Sequence, residues 1–291
     1  MSICPHLLAA LSIVGLLERR GEEEVVQVIR NARLEEEIND LRNVTFFVPS
    51  DEAFQGLSPA DYERLRDRKS LVEVIRGHVT TESLSVGEMS NNQLLPVVDS
   101  DKKLLINKYK QCWFDDNAVT TVQCAKVVQS DLMTCGAAVH IIDKVLMPPT
   151  DGTVLDMLRS NSSFSIILEL MEEAGLLDHL SSDTGFTFFA PTNDAITEQL
   201  PHLRKDSFLM QQVLALHILP EHLCCAGVFN NLWTCGSGVQ HATVGGPRLR
   251  VYRTLGDAGR VVVNEIVRVT QCDRVASNGV VHVVDGLITR L

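Results

Sequence analysis

Several things are scarce in this chain, and each scarcity excludes something. No apolar run approaches the roughly 18 residues that would cross a bilayer as a helix. The stretch LLAALSIVGLL at Leu7 to Leu17 has no basic segment before it and no small-residue cleavage site after it, so it does not read as a secretion signal. Positive charge is short: 26 Lys and Arg stand against 37 Asp and Glu, a formal net charge of −11. Without a basic excess, neither a nucleic-acid backbone nor an anionic membrane surface is expected as the main partner. Catalytic signatures are missing as well. Gly236-Ser237-Gly238 lacks the spacing of a nucleophile elbow, and no phosphate loop or dinucleotide fingerprint occurs. Aromatic residues make up only 5%, yet 45% hydrophobic and 22% charged content belongs to a globular chain and not to a disordered one.

What is present is duplication. TFFVPSDEAF at Thr45 to Phe54 returns as TFFAPTNDAI at Thr187 to Ile196, an offset of 142 residues (187 − 45). GAAVHIIDKVL at Gly136 to Leu146 returns as NGVVHVVDGLI at Asn278 to Ile288, and matching His140 to His282 gives 142 again. His78 and His217 keep the same order between them, as do Leu104 and Leu249. Each copy is far longer than a solenoid repeat of roughly 20 to 50 residues, so these are two domains, 1–149 and 150–291, each large enough to bury its own core. The same offset maps Thr153 to Leu158 onto Leu11 to Leu16, which makes the apolar N-terminal stretch the first helix of domain one. A chain that starts directly in a folded domain is expected to be a fragment of something larger. Met147-Pro148-Pro149-Thr150 is the linker, and its prolines predict a fixed relative orientation of the domains.

The eight cysteines divide evenly: Cys4, Cys112, Cys124 and Cys135 precede the linker, and Cys224, Cys225, Cys235 and Cys272 follow it. Even counts favour disulfides within domains, and a bridge from Cys235 to Cys224 or Cys225 is the local expectation. Two N-glycosylation sequons, Asn43-Val44-Thr45 and Asn161-Ser162-Ser163, agree with an extracellular, oxidising setting.

Periodicity predicts helices over Asp151 to Leu158, Phe164 to Leu177 and Phe208 to Leu219. A strand over Phe186 to Ala190 stops at Pro191, which cannot donate to a ladder. Thr192 and Asn193 then offer side-chain oxygens to cap the next helix, as Ser50 and Asp51 do after Pro49. Arg248 to Thr254 and Arg260 to Val269 read as a hairpin, and Val280 to Val284 as the closing strand. The fold class is α+β, with helices early and antiparallel strands late in each domain.

With these elements in place, TFF[VA]P[ST][DN][DE]A resembles the first conserved box of fasciclin-type (FAS1) domains, and GAAVHIIDKVL and NGVVHVVDGLI resemble the second. The likeness covers nearly the whole chain, both boxes twice. Tandem FAS1 domains with several cysteines look most like those of stabilin-type receptors, less like those of periostin or the TGF-beta-induced matrix protein. The resemblance implies a β-sandwich or wedge with flanking helices in each domain. It also implies a non-catalytic, cofactor-free role in cell adhesion or ligand capture, with cell-surface or matrix proteins, integrins among them, as partners. In such relatives an Asp followed by an apolar residue before the second box is the proposed integrin contact. Here those positions hold Asp131-Leu132-Met133 and Asp273-Arg274-Val275, and Arg274 departs from the apolar pattern. The other adhesion motif of the family, a Tyr-His pair, is replaced by Gly77-His78 and Leu216-His217. The bland alternative for the aspartates is hydrogen bonding to their own turns. The alternative for the whole is an architectural spacer without a ligand.

The repeated histidines, His140 and His282 beside Asp143 and Asp285 and His78 and His217 on predicted helices, are expected to be buried and bonded to backbone. His222, Cys224, Cys225, Cys235 and His241 contain zinc-capable atoms without the paired short spacings of a structural site, so no metal is expected. Glu22 to Glu24 and Glu35 to Glu37, opposite Val25, Val28 and Ile29, read as a solvated helix face.

Overall fold

The computed structural model describes residues 12–110, 118–134, 136–148, 152–182, 185–229, 240–255 and 259–289. Cys4, Cys112, Cys135, Cys235, Pro149 and Thr150 lie outside the described residues. The chain divides into two compact units, Met1–Lys108 with Val119–Pro148, and Tyr109–Ala118 with Pro149–Leu291.

The first unit opens with helices α1 (Ile13–Arg20), α2 (Glu23–Ala32) and α3 (Glu35–Asp40), followed by strand β1 (Val44–Pro49). Helices α4 (Asp51–Gln55), α5 (Pro59–Arg64) and α6 (Arg68–Gly77) lead to β2 (Val79–Thr80). Five further strands complete it: β3 (Gln93–Pro96), β4 (Lys103–Tyr109), β5 (Val119–Val122), β6 (Ala125–Met133) and β7 (Ala137–Ile142). They form one seven-stranded sheet in the order β2-β1-β7-β6-β5-β4-β3. Its two edges meet, because Thr80 bridges Val97 and the Val98 N–H donates to the Val79 carbonyl at 2.9 Å. The sheet is thus curled into a wedge with helices against one side.

The second unit repeats this with α7 (Val154–Arg159), α8 (Ser165–Glu173), β8 (Phe186–Pro191), α9 (Asn193–Ile196), α10 (Leu200–Leu203), α11 (Ser207–Ala215) and β9 (Ile218–Leu219). Its later strands are β10 (Gln240–Ala242), β11 (Arg248–Arg253), β12 (Val261–Val263), β13 (Val267–Val275) and β14 (Gly279–Val284). The order β10-β11-β12-β13-β14-β8-β9 matches the first sheet position for position.

The two boxes are the two central strands, and they run parallel: Thr45 lies opposite Ala138, and Thr187 opposite Val280. A strand covered on both faces reads as a continuous apolar run, and every residue of β1, β7, β8 and β14 is buried. Alternation divides them between two cores. Val44, Phe46 and Val48 join Ala137, Val139 and Ile141 under the helices, with Ile13, Leu17 and Ile29. Phe47 and Ile142 face the interior of the curled sheet with Leu95, Ile106 and Val122. Phe188 and Phe189 divide in the same way in the second unit.

Several expectations need correction. The helix expected over Phe164 to Leu177 is a short 3-10 turn, Ser162–Phe164, then α8, which ends before Gly175 in the left-handed region (φ 69°). The helix expected to reach Leu219 stops at Ala215, and its last residues turn into β9. His217 therefore sits past the helix end, as His78 does at the C-cap of α6. The run Arg260 to Val269 is two strands, because Asn264 and Glu265 (φ 47° and 66°) make a tight turn of the kind that suits the twist of a hairpin. Gln123 and Cys124 (φ 48° and 61°) do the same between β5 and β6. Thr192 makes no side-chain cap; Asn193 Oδ1 instead accepts the Ile166 N–H at 3.0 Å, as Asp51 Oδ1 accepts the Glu24 N–H at 3.0 Å. The corner after each first box thus caps a helix 27 residues earlier. Glu22 is not on the solvated face: it is 8% exposed, its Oε2 accepts the Asp51 N–H, and burial raises its pKa. Cys225 bonds to Cys272, which overturns the Cys225–Cys235 alternative. Cys124 and Cys224 are also disulfide-bonded.

Candidate functional site

A loop follows each of the short strands β2 and β9, and three polar side chains pin it, two from the repeated boxes and one from the strand before the second box. Thr45 faces inward from β1, where its hydroxyl donates to the Glu82 carbonyl (2.6 Å) and accepts the Leu84 N–H (2.9 Å). His140 faces inward from β7, one strand away, and its Nε2–H donates to the Leu84 carbonyl (2.8 Å). Its Nδ1 accepts the Asp131 N–H (3.0 Å), which fixes the neutral tautomer. Asp131 lies at an irregularity in the pairing of β6 with β7, in the left-handed region (φ 60°), and its Oδ1 accepts the Val86 N–H (2.8 Å). A residue outside the ladder, turned to left-handed φ, is how a bulge re-aims a side chain.

The second unit has the same set. The Thr187 hydroxyl donates to the Glu221 carbonyl (2.7 Å) and accepts the Leu223 N–H (2.8 Å). The His282 Nε2–H donates to the Leu223 carbonyl (2.7 Å), and its Nδ1 accepts the Asp273 N–H (3.1 Å). Asp273 (φ 58°) accepts the Cys225 N–H at 2.7 Å. Phe47 and Phe189 lie against the imidazoles with ring centroids 5.7 and 5.6 Å apart. What sets the units apart is exposure. The Asp131 side chain is 43% exposed, with Leu132 half-buried beside it and Met133 49% exposed. The Asp273 side chain is 3% exposed and Arg274 is half-buried.

His78 and His217 do a different job. The His78 Nδ1–H donates to the Val74 carbonyl (2.7 Å) and its Nε2 accepts the Leu146 N–H (2.9 Å). His217 bonds to the Val213 carbonyl (3.0 Å) and the Ile288 N–H (3.0 Å). Each thus ties the end of a helix to the segment leaving the closing strand. Burial pushes both rings down to about pH 4 in pKa, and it lowers His140 in the same direction against its bond to Leu84 and the charge of Asp131. Rings held neutral with both nitrogens committed are structural groups, poor as general bases.

The acidic neighbours in sequence do not touch them. Asp143 Oδ1 accepts the Lys126 N–H and Asp285 Oδ1 the Arg268 N–H, both at 2.7 Å, closing the turn onto the preceding strand. Cys225, Cys272 and His282 bring ligand-capable atoms within 4.8 Å of one another, but the two sulfurs form a disulfide and so lack the thiolates a metal takes. His222 is lowered in pKa by burial, and His241 pairs with Glu221 at 2.7 Å instead of joining a cluster. Of the sequons, Asn43 is exposed in the left-handed region (φ 54°) just before β1, and Asn161 caps the 3-10 turn after α7. Among the described residues, no helix is long and apolar enough to cross a membrane.

Two parallel box strands, with a Thr, a His and an Asp pinning one loop in each copy, define the class. The family model of the fasciclin domain matches residues 22–148 and 162–290, and the chain belongs to that family. It is similar to human periostin, 26% identical over 99% of this chain and 33% of periostin. It is also similar to human stabilin-1, 27% identical over 66% of this chain and 8% of that protein. A solved FAS1 domain pair from the insect cell adhesion molecule fasciclin I is 24% identical, with a TM-score of 0.45, covering 94% of this chain and 98% of that one. The chain spans about a third of the length of periostin.

The boxes were legible in sequence; the clamp was not. The threonine of TFF gives no signal by itself, because a hydroxyl in an apolar strand carries no pattern of its own. Its recurrence at the same place in both copies was the available signal.

Proposed function

We propose that this chain is an extracellular, non-catalytic adhesion module of a larger receptor or matrix protein, with a stabilin-like receptor ectodomain as the parent. Within it, Asp131-Leu132-Met133 is the integrin-type contact. Membership of the fasciclin family supports the adhesion role. Disulfide bonding at Cys124, Cys224, Cys225 and Cys272, together with two sequons, supports an oxidising extracellular setting. The observation that carries the contact is the difference in exposure, 43% for the Asp131 side chain against 3% for Asp273. A carboxylate reachable from solvent beside an exposed Met133 has what a metal-dependent receptor needs: an oxygen ligand for a divalent ion and an apolar neighbour for its pocket. Asp273-Arg274 offers neither, so the first unit is assigned the contact alone.

The spacer reading keeps one observation in its favour. Asp131 Oδ1 already accepts the Val86 N–H, so the residue has a structural reason to be there. The experiment that separates the two is adhesion of integrin-bearing cells to the immobilised, oxidised chain, with and without divalent cation. Asp131→Asn keeps an oxygen for Val86 and removes the charge. Cation-dependent adhesion lost in this variant is the expected result. Undiminished adhesion by Asp131→Asn refutes the contact, and no adhesion by the folded wild-type chain favours the spacer.

A further inference from the structure

The second unit carries a surface groove of about 320 Å³ between the end of α7 and α8, lined among others by Asn161, Ser165, Leu168, Glu169, Glu172 and Leu177. Its volume lies at the lower end of ligand clefts, about 300 Å³ upward, which is room for one or two sugar rings. The lining suits a sugar. Leu168 and Leu177 are half-buried and offer apolar surface to a pyranose C–H face, while Ser165 and Glu172 offer hydrogen-bonding atoms to its polar edge; Glu169, on the same lining, is paired with Arg204 at 2.6 Å. A sequon asparagine, Asn161, is among the lining residues.

We propose that Asn161 carries an N-linked glycan and that this groove seats its first N-acetylglucosamine. The inference rests on the extracellular reading above. Transfer from a lipid-pyrophosphate oligosaccharide breaks the anomeric C1–O bond, forms a bond from C1 to Asn161 Nδ2 with loss of one amide proton, and releases the lipid pyrophosphate. The fold accommodates the product. Asn161 caps the 3-10 turn through Oδ1, which accepts the Ser163 N–H at 3.0 Å, and a glycosylated asparagine keeps that carbonyl. Cap and sugar therefore occupy different atoms of one amide.

Asn43 differs. The hydroxyl of its sequon belongs to Thr45, a clamp residue, and the equivalent Thr187 does the same work two residues after Gly185, where there is no asparagine. The fold accounts for Thr45 without a glycan. Ser163, by contrast, is exposed, and the fold asks nothing of its side chain among the described hydrogen bonds.

The test is secretion of the chain from mammalian cells behind a cleavable signal, with glycopeptide mapping by mass spectrometry. Ser163→Ala removes the sequon and leaves Asn161 and its cap intact. An occupied Asn161 in the wild type and in Asn43→Gln, absent in Ser163→Ala, is expected. Wild-type protein trimmed to a single N-acetylglucosamine should melt about 2 °C above Ser163→Ala, as expected for a contact of about half a kcal/mol. An unmodified Asn161 in folded, secreted protein overturns the proposal, and so does a trimmed protein that melts with Ser163→Ala. Neither readout involves adhesion, so failure here leaves the Asp131 contact standing, and a glycosylated chain that fails to adhere sinks only that contact.

Discussion

Taking the protein from pH 7 to pH 5 is expected to cost the second unit about 2 kcal/mol of stability through His217 alone. The ring is 0% exposed, both nitrogens are bonded to backbone, and burial holds its pKa at about 4 against an ordinary 6.5. Above pH 6.5 the folded and unfolded chains both carry a neutral ring, and the contribution is complete. As pH falls further, the unfolded chain binds a proton that the folded chain refuses, so stability drops by about 1.4 kcal/mol per pH unit until pH nears 4. The roughly 1.5 units between 6.5 and 5 give the figure. His222, also lowered by burial, adds to the loss. The second unit is the better place to look, because in the first Glu22 opposes His78. Its raised pKa lets the folded chain take up a proton before the unfolded one, so its contribution grows as pH falls. Asp156, lowered by its bonds to Thr153, responds only near and below its ordinary value of 3.8, outside this window. Urea unfolding at pH 7, 6 and 5 would compare wild type with His217→Gln, whose amide still donates and accepts but does not titrate. The variant should be less stable at pH 7 and lose about 1 kcal/mol less per pH unit. Equal slopes would refute the argument.

The clamp and the disulfide can be tested in the same assay. Thr187→Val keeps the shape but orphans the buried Leu223 N–H and Glu221 carbonyl, and should cost about 2–4 kcal/mol, while Thr187→Ser should cost about 1; a valine variant within about 0.5 kcal/mol of wild type would mean that the loop is held some other way. Replacing Cys225 and Cys272 together by serine opens a link across 47 residues, and chain entropy puts the loss at about 4 kcal/mol. A midpoint unchanged by the double substitution would show that the bridge adds nothing to the second unit.

The sequence displayed the parts with strong periodicity and hid those that depend on partners distant in the chain. The boxes were legible as strands, because continuous apolar runs ending at Pro49 and Pro191 have few other readings. Their parallel pairing was not, since nothing in TFFVP states which strand lies beside it. The helix over Phe208 to Leu219 looked longer than it is because His217, Ile218 and Leu219 keep the apolar pattern while changing its geometry; a pattern of burial alone does not separate the last helical turn from a two-residue strand. Asp131 was legible as a residue beside a turn. Its left-handed backbone and its bond to Val86, 45 residues earlier, required the fold. The bond from Cys225 to Cys272 is hidden for the same reason: spacing points to near neighbours such as Cys235, whereas the strand irregularity at Asp273 brings a distant cysteine to the loop.

The parallel pairing of the boxes bears on how the chain is made. Thr45 waits 93 residues (138 − 45) for Ala138, and Thr187 another 93 (280 − 187) for Val280, so each unit is expected to close its centre late and to fold slowly for its size. During that wait TFFVP and TFFAP, which differ only at Val48 and Ala190, compete for similar partner strands. Refolding the whole chain from denaturant should therefore yield strand-exchanged species that grow with concentration. On the ribosome the ambiguity does not arise in the same form: β1 and β7 are both complete by residue 142, some 45 residues before Thr187 is added. Synthesis in order is thus expected to favour pairing of each first box with the second box of its own unit.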